Sequence, residues 1–168
     1  MKNIVLIGFM GAGKTTIGQL LATKLNWQQY DLDQVIVEKI GMSIADYFDK
    51  YGSEAFRNVE TQVLQESHDW QGIISTGGGI ILKEENRQLL QEQPYVVYLK
   101  ADLEELIRRV KQDEYNVRPL ADSKTADEVK EVYLPRVPLY EESASHIIDT
   151  TGKSPEEIVQ EILNQVGE

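Results

Sequence analysis

The chain is 168 residues long and carries a formal net charge of −11. That length gives one ordinary domain with a real hydrophobic core, and the acidity argues against non-specific binding to nucleic acid or an anionic membrane. The absence of cysteine excludes disulfides, thiolate metal sites and cysteine nucleophiles.

Residues 3–8 open with the apolar run Asn3-Ile-Val-Leu-Ile7, suited to a buried parallel strand. The stretch from Met1 to Met10 is too short for a leader and runs straight into a glycine loop, so it is read as structure. Gly8 to Thr15 spell Gly-Phe-Met-Gly-Ala-Gly-Lys-Thr, the pattern G-x-x-x-x-G-K-[ST]. Its glycines let successive N–H groups converge on phosphate oxygens. Lys14 adds a positive charge near the β and γ phosphates, and Thr15 offers a hydroxyl to Mg²⁺. A helix predicted over 14–25, with Ile17, Leu20, Leu21 and Leu25 at helical spacing, presents its positive end to the same point. Strand, glycine loop and amphipathic helix in this order predict nucleotide binding.

A second strand, 28–31, ends at Asp31-Leu32-Asp33, at the strand end where ligands gather in open α/β sheets. A metal-bound phosphate needs a carboxylate there, and an acceptor hydroxyl needs another. The competing reading makes Asp33 the N-cap of a helix over 33–41. Helices follow over 43–51 and 53–68. In the latter, Arg57 and Glu60 are neighbours at i, i+3. They form either a surface ion pair of little value or a guanidinium held to grip a carboxylate, and the residues alone favour the surface pair. His68 reads as structural, as does His146. Asp69-Trp-Gln-Gly72 imitates the D-x-x-G of GTPases, but it precedes a strand and no N-K-x-D occurs, so a GTPase is rejected.

The strand at 72–76 leads into Gly77-Gly78-Gly79, where a bare backbone permits close approach of a ligand; a plain flexible turn is the alternative. A helix over 84–92, a strand over 95–99 and a helix over 102–111 come next, the last opened by a capping box of Asp102 and Glu105. Residues 112–123 are polar and without period. They read as a solvated loop or as a lid carrying Arg118. In a helix predicted over 124–142, Val129, Val132 or Tyr133, Arg136 and Tyr140 share one face. An inward arginine needs an anionic partner, unless Pro135 and Pro138 break the helix and turn Arg136 to solvent. A strand over 146–149 and a helix over 155–166 close the chain, the helix with Ser154-Pro155 and Glu157 as a second capping box. This alternation predicts one α/β domain, a parallel sheet with helices on both faces. No segment reaches membrane-spanning length, so the cytoplasm is the expected location.

Together these pieces resemble shikimate kinase. The matching segments are Gly8–Thr16, Asp31-Leu-Asp33, Gly52–Glu60, Thr76–Gly79, Val117–Leu120, Arg136-Val-Pro-Leu-Tyr140 and Ile148-Asp-Thr150, and they span nearly the whole chain. The resemblance implies a three-layer P-loop kinase fold like that of nucleoside monophosphate kinases. Its five-stranded parallel sheet would run 2-3-1-4-5, with a substrate-binding subdomain near 33–61 and a lid near 112–123. It implies transfer of the γ-phosphoryl group of ATP to the 3-hydroxyl of shikimate, with Mg²⁺ as cofactor, by a monomer. Carried over by motif, Gly11, Ala12, Gly13, Lys14, Thr15 and Thr16 would hold ATP. Thr15 and Asp31 would organise Mg²⁺, and Lys14 and Arg118 would stabilise the transferring group. Asp33 would hold the reacting hydroxyl and assist proton removal. Arg57 and Arg136 would bind the shikimate carboxylate, Gly78 and Gly79 would line the same pocket, and Arg109 would stack on adenine. Rival readings are a related small-molecule kinase, such as a gluconate kinase, and a non-catalytic nucleotide-binding regulatory module. Retention of Lys14, Asp33 and Arg118 argues against the second.

Overall fold

The computed structural model describes residues 3–9, 12–112 and 126–166. Five parallel strands, β1 (Asn3–Ile7), β2 (Gln29–Asp31), β3 (Gly72–Ser75), β4 (Val96–Lys100) and β5 (His146–Asp149), form one sheet in the order β2-β3-β1-β4-β5. This is the expected order, and every strand begins and ends within a residue or two of its predicted span. The three central strands are buried along almost their whole length, whereas β2 and β5 lie at the edges and are partly open. That is why β1, β3 and β4 read as continuous apolar runs without alternation. Asp31 pairs with Ser75, and Ser75 with Leu6. The ends of β2, β3 and β1 therefore open on one edge of the sheet, where the chain leaves each strand for a loop.

Nine helices accompany the sheet among the described residues: α1 (Lys14–Leu25), α2 (Leu32–Ile40), α3 (Ile44–Tyr51), α4 (Ser53–Glu66), α5 (Glu84–Gln91), α6 (Leu103–Gln112), α7 (Ala126–Tyr133), α8 (Val137–Ser143) and α9 (Pro155–Val166). Helix α1 packs on α9 and on β3, while α5 packs on α8 and α8 on β4. Helices α2, α3 and α4 pack on one another between β2 and β3. The box at α9 forms as read: Ser154 N–H donates to Glu157 Oε1 at 3.0 Å and Glu157 N–H to Ser154 Oγ at 3.2 Å. At the box proposed for Asp102 and Glu105, the Asp102 N–H has another acceptor. It donates to Thr151 Oγ1 at 2.9 Å, tying α6 to the end of β5.

Three further departures have local causes. The helix expected over 53–68 ends at Glu66, and Ser67–Asp69 tightens into a 3₁₀ turn as Ser67 Oγ donates to Leu64 O. A 3₁₀ turn at Ile80–Leu82, unforeseen in the sequence, follows the glycines. The single helix expected over 124–142 is in fact α7, a 3₁₀ turn at Leu134–Arg136, and α8. Pro135 and Pro138 supply no N–H, so the ladder cannot continue through them, and Val137 N–H bonds the Leu134 carbonyl in the tighter register. Residues 113–125, most of the proposed lid and the start of that predicted helix, lie outside the described residues.

Candidate active site

At the glycine loop the described residues offer mostly backbone. Gly13 caps α1 in the left-handed region at φ 94°, a conformation glycine adopts without strain. Gly13 offers no side-chain cap to this helix end, and a helix N-terminus is suited to an anion. Lys14 Nζ folds back on the loop and donates to Gly8 O at 2.6 Å and Phe9 O at 3.0 Å. The first turn is pinned to the sheet. Gln29 Nε2 donates to Thr15 O at 3.2 Å and Ser75 Oγ to Lys14 O at 3.3 Å. Ala12 is buried beneath the loop, while the side chains of Thr15 and Thr16 face solvent.

The second strand ends with a correction. Asp31, not Asp33, caps α2: Asp31 Oδ1 accepts from Asp33 N–H at 3.0 Å and from Gln34 N–H at 3.4 Å. Asp33 sits one residue inside the helix, and its carboxylate is turned toward the glycine run. A Cβ added at Gly77 would lie 2.8 Å from Asp33 Oδ1.

Arg57 makes the same kind of approach two residues further on. A Cβ at Gly79 would lie 2.5 Å from its Nη2. The glycines are therefore needed because Asp33 and Arg57 pack directly on their backbone. Phe56 and Phe48 flank the guanidinium, with Cζ 5.3 and 6.0 Å from the ring centroids. Arg57 Nη1 donates to Glu60 Oε1 at 2.8 Å. Glu60 is only 1% exposed, whereas Arg57 retains 22%. The surface-pair reading of these two residues is thus overturned: the carboxylate is buried and the guanidinium looks out from it. Burial raises the Glu60 pKa above the usual carboxylate value, and the Arg57 charge opposes the rise without cancelling it.

Arg136 joins this cluster from the 3₁₀ turn. The proline break does not expel it. Its Cζ lies 5.8 Å from the centre of the Phe9 ring, and its charge is felt at both Glu60 and Tyr140. The Tyr140 hydroxyl donates to the Gly78 carbonyl. Asp33, Arg57, Gly78, Gly79 and Arg136, picked out from separate stretches of sequence, thus converge around the glycine run. Gly77, Glu60 and Tyr140 belong with them; the sequence had offered Gly77 as part of the glycine run and Glu60 as the holder of Arg57, and Tyr140 only as a neighbour on the Arg136 face. Only the spacing of Tyr140 from Arg136, one helical turn, was available to suggest the last. Gly11 and Arg118 lie outside the described residues, as does the Arg109 side chain on α6.

A glycine loop of the phosphate-binding pattern at the end of β1, with Asp33, Arg57 and Arg136 clustered at the same edge of a parallel sheet, is the arrangement of a P-loop kinase. Comparison with known proteins gives the particular family. The shikimate kinase family model matches residues 10–167. A shikimate kinase of Enterococcus faecalis is 53% identical over 168 residues, covering all of both chains. Another, from Streptococcus gordonii, is 46% identical over 93% of this chain and 95% of its own. Among solved structures, shikimate kinase from Acinetobacter baumannii in complex with shikimate superposes with a TM-score of 0.90 at 36% identity, covering 99% of this chain and 93% of that one. The chain belongs to the shikimate kinase family.

Proposed function

We propose that the two sides of this site divide the reaction between them: the α1 loop holds ATP, and the cluster around Gly77–Gly79 holds the acceptor. As its family membership states, the chain uses ATP to phosphorylate the 3-hydroxyl of shikimate, giving shikimate 3-phosphate and ADP on the route to chorismate and the aromatic amino acids. The observation that carries the division of labour is the packing of Asp33 on Gly77 and of Arg57 on Gly79. It sets a carboxylate and a guanidinium side by side on one short stretch of backbone. Shikimate needs both, one for the hydroxyl that reacts and one for its carboxylate.

In this reading Asp33 accepts a hydrogen bond from the 3-hydroxyl and takes its proton as the oxygen attacks. Arg57 and Arg136 grip the shikimate carboxylate by charge-assisted hydrogen bonds, with Glu60 fixing the Arg57 fork from behind. Gly78 and Gly79 line the floor. Lys14 leaves the Gly8 and Phe9 carbonyls and turns to the β and γ phosphates. Gly11, Ala12, Gly13, Thr15 and Thr16 supply the rest of the phosphate cradle. Arg118, from the lid proposed near 112–123, stabilises the transferring group, and Arg109 stacks on adenine.

Mg²⁺ fits the donors present. Thr15 offers a hydroxyl and Asp31 a carboxylate, both hard oxygen ligands. Among the described residues no cluster of three or more His, Asp or Glu side chains could hold a metal by itself, which suits an ion brought in with ATP and held largely by phosphates and water. When bound, it neutralises charge on the β and γ phosphates. The protein is expected to work as a cytoplasmic monomer without nucleic-acid or membrane partners. Among the described residues no helix is long and apolar enough to cross a membrane.

A coupled assay with ATP, Mg²⁺ and a panel of acceptors tests the proposal. Turnover with shikimate and none with gluconate, abolished by chelating Mg²⁺, is the expected result. ATP binding without turnover of shikimate would overturn it.

A further inference from the structure

Three buried tyrosines lie beneath the acceptor side, and their hydroxyls meet different fates. Tyr133 donates to Ala101 O at 3.2 Å. Tyr98, whose ring stacks on Tyr140 with centroids 5.0 Å apart, has no partner in hydrogen-bond geometry for its hydroxyl. Tyr140 is fully buried, yet its hydroxyl reaches Gly78 O, in the middle of the glycine run. Burial raises the Tyr140 pKa well above the ordinary phenol range, with Arg136 opposing, so the group remains a donor throughout any working pH.

A run of three glycines samples more backbone conformations than any other tripeptide. Here it must hold still, because Asp33 packs on one end and Arg57 on the other. A second tie reinforces the first. Arg87 on α5 donates through Nη1 to Ile81 O at 2.8 Å, just beyond the glycines, and through Nε to Glu142 Oε2 at 3.1 Å on α8. Helix α8, which follows directly on Arg136, is therefore bonded to the glycine segment at Gly78 and linked to it again at Ile81.

We propose that Tyr140 is a positioning residue for shikimate: its hydroxyl fixes Gly78 so that Asp33 and Arg57 keep their places on the flanking glycines. The inference rests on the acceptor pocket described above. Tyr140 acts through the glycine run, and through the Arg136 guanidinium beside its hydroxyl, and touches neither ATP nor the reacting atoms. Its loss should accordingly fall on the KM for shikimate and leave the KM for ATP alone.

The test is Tyr140→Phe, which keeps the ring and its stack on Tyr98. A hydrogen bond of ordinary strength corresponds to about tenfold in an equilibrium constant, so KM for shikimate should rise about tenfold, with kcat changed less and KM for ATP unchanged. Tyr98→Phe, from the same cluster, should leave all three constants at wild-type values. Combined with Arg57→Ala, Tyr140→Phe should raise KM by less than the product of the single effects. A Tyr140→Phe enzyme that loses urea resistance but keeps its KM for shikimate would overturn the proposal, as would equal effects of the two Phe variants. If Arg57→Ala left KM intact, the pocket reading itself would fall and the proposal with it. Should Tyr140→Phe fail to fold, Arg87→Ala, which cuts the second tie, must show the same split between shikimate and ATP or the proposal fails.

Discussion

The two halves of the proposed site are built on opposite plans. The proposed phosphate side comes from consecutive residues between β1 and the first turn of α1, and would work through backbone N–H groups and a helix end. The proposed acceptor side is gathered from the first turn of α2, from α4, from the loop after β3 and from the turn before α8, and would work through side chains. Backbone cradles tolerate change in their surroundings, because every residue but proline carries the same donor. A side-chain pocket depends on each named group and on the burial that holds it. Substitutions on the acceptor side should therefore change what happens to shikimate and leave ATP binding untouched.

The hardest test of that separation is Asp33→Asn. If Asp33 assists the proton, kcat should fall by roughly 10²–10⁴-fold, while ATP binding by calorimetry stays at the wild-type value. The substituted side chain remains in the first turn of α2, and the cap at Asp31 is unaffected, so the fold should survive. Turnover near wild type would leave Asp33 no more than an acidic residue favourably placed at a helix start.

Next in size come the arginines. A charge-assisted hydrogen bond contributes on the order of 1.5–3 kcal/mol, so Arg136→Ala should raise the Kd for shikimate by roughly 10- to 150-fold. Arg57→Ala should act similarly, and the double variant should fall short of the product because both serve one anion. An analogue of shikimate with a neutral group in place of the carboxylate should scarcely respond to either change. Loss of ATP affinity in these variants would break the division between the two sides.

Gly79→Ala asks whether the glycine run is a pocket floor or a turn. The added Cβ would land on the far end of Arg57, not on backbone, so Arg57 must swing aside and the fold need not change. Shikimate affinity should drop by up to about tenfold, the order of one hydrogen bond, with the urea midpoint close to wild type. A large loss of stability with intact affinity would make Gly79 a purely structural glycine.

This contrast also explains what could be read from the chain. Strand spans and the phosphate loop were legible because each rests on local pattern: an apolar run, a glycine spacing, a helical stripe; the order of the strands was supplied by the resemblance to shikimate kinases, since no local pattern says which strands are neighbours. The break at Pro135 and Pro138 was legible as a risk, but its outcome was not. Whether Arg136 ends inside depends on Phe9, which comes from the end of β1. Arg57 and Glu60 read as a surface pair since their i, i+3 spacing fits a surface equally well. Only the packing around α4 decides that Glu60 is covered. The capping role moved from Asp33 to Asp31 because the first helical residue is Leu32, which puts Asp33 inside the first turn, a shift no propensity resolves.

The smallest expected effect concerns Glu60, and it separates stability from binding. Its folded pKa lies above the ordinary value of 4.5, with burial the largest cause. The charges facing it are Arg57 and Arg136, which favour the carboxylate, and Asp33, which opposes it. In the window from 4.5 up to its raised value, the folded protein keeps a proton that the unfolded chain releases. Stability must then fall as pH rises through this window, by at most about 1.4 kcal/mol per pH unit for one proton. Glu60→Gln cannot titrate, so its urea midpoint measured beside wild type from about pH 4 to 8 should gain on wild type across that window and run parallel above it. Once pH has passed that window the buried carboxylate stands at a cost to the fold, consistent with the general cost of burying an ion pair, while it orients the Arg57 fork. Glu60→Gln should accordingly cost shikimate affinity even where it does not cost stability. A midpoint difference independent of pH would mean that the Arg57 pair holds Glu60 at an ordinary pKa, and that burial is not the dominant influence on it.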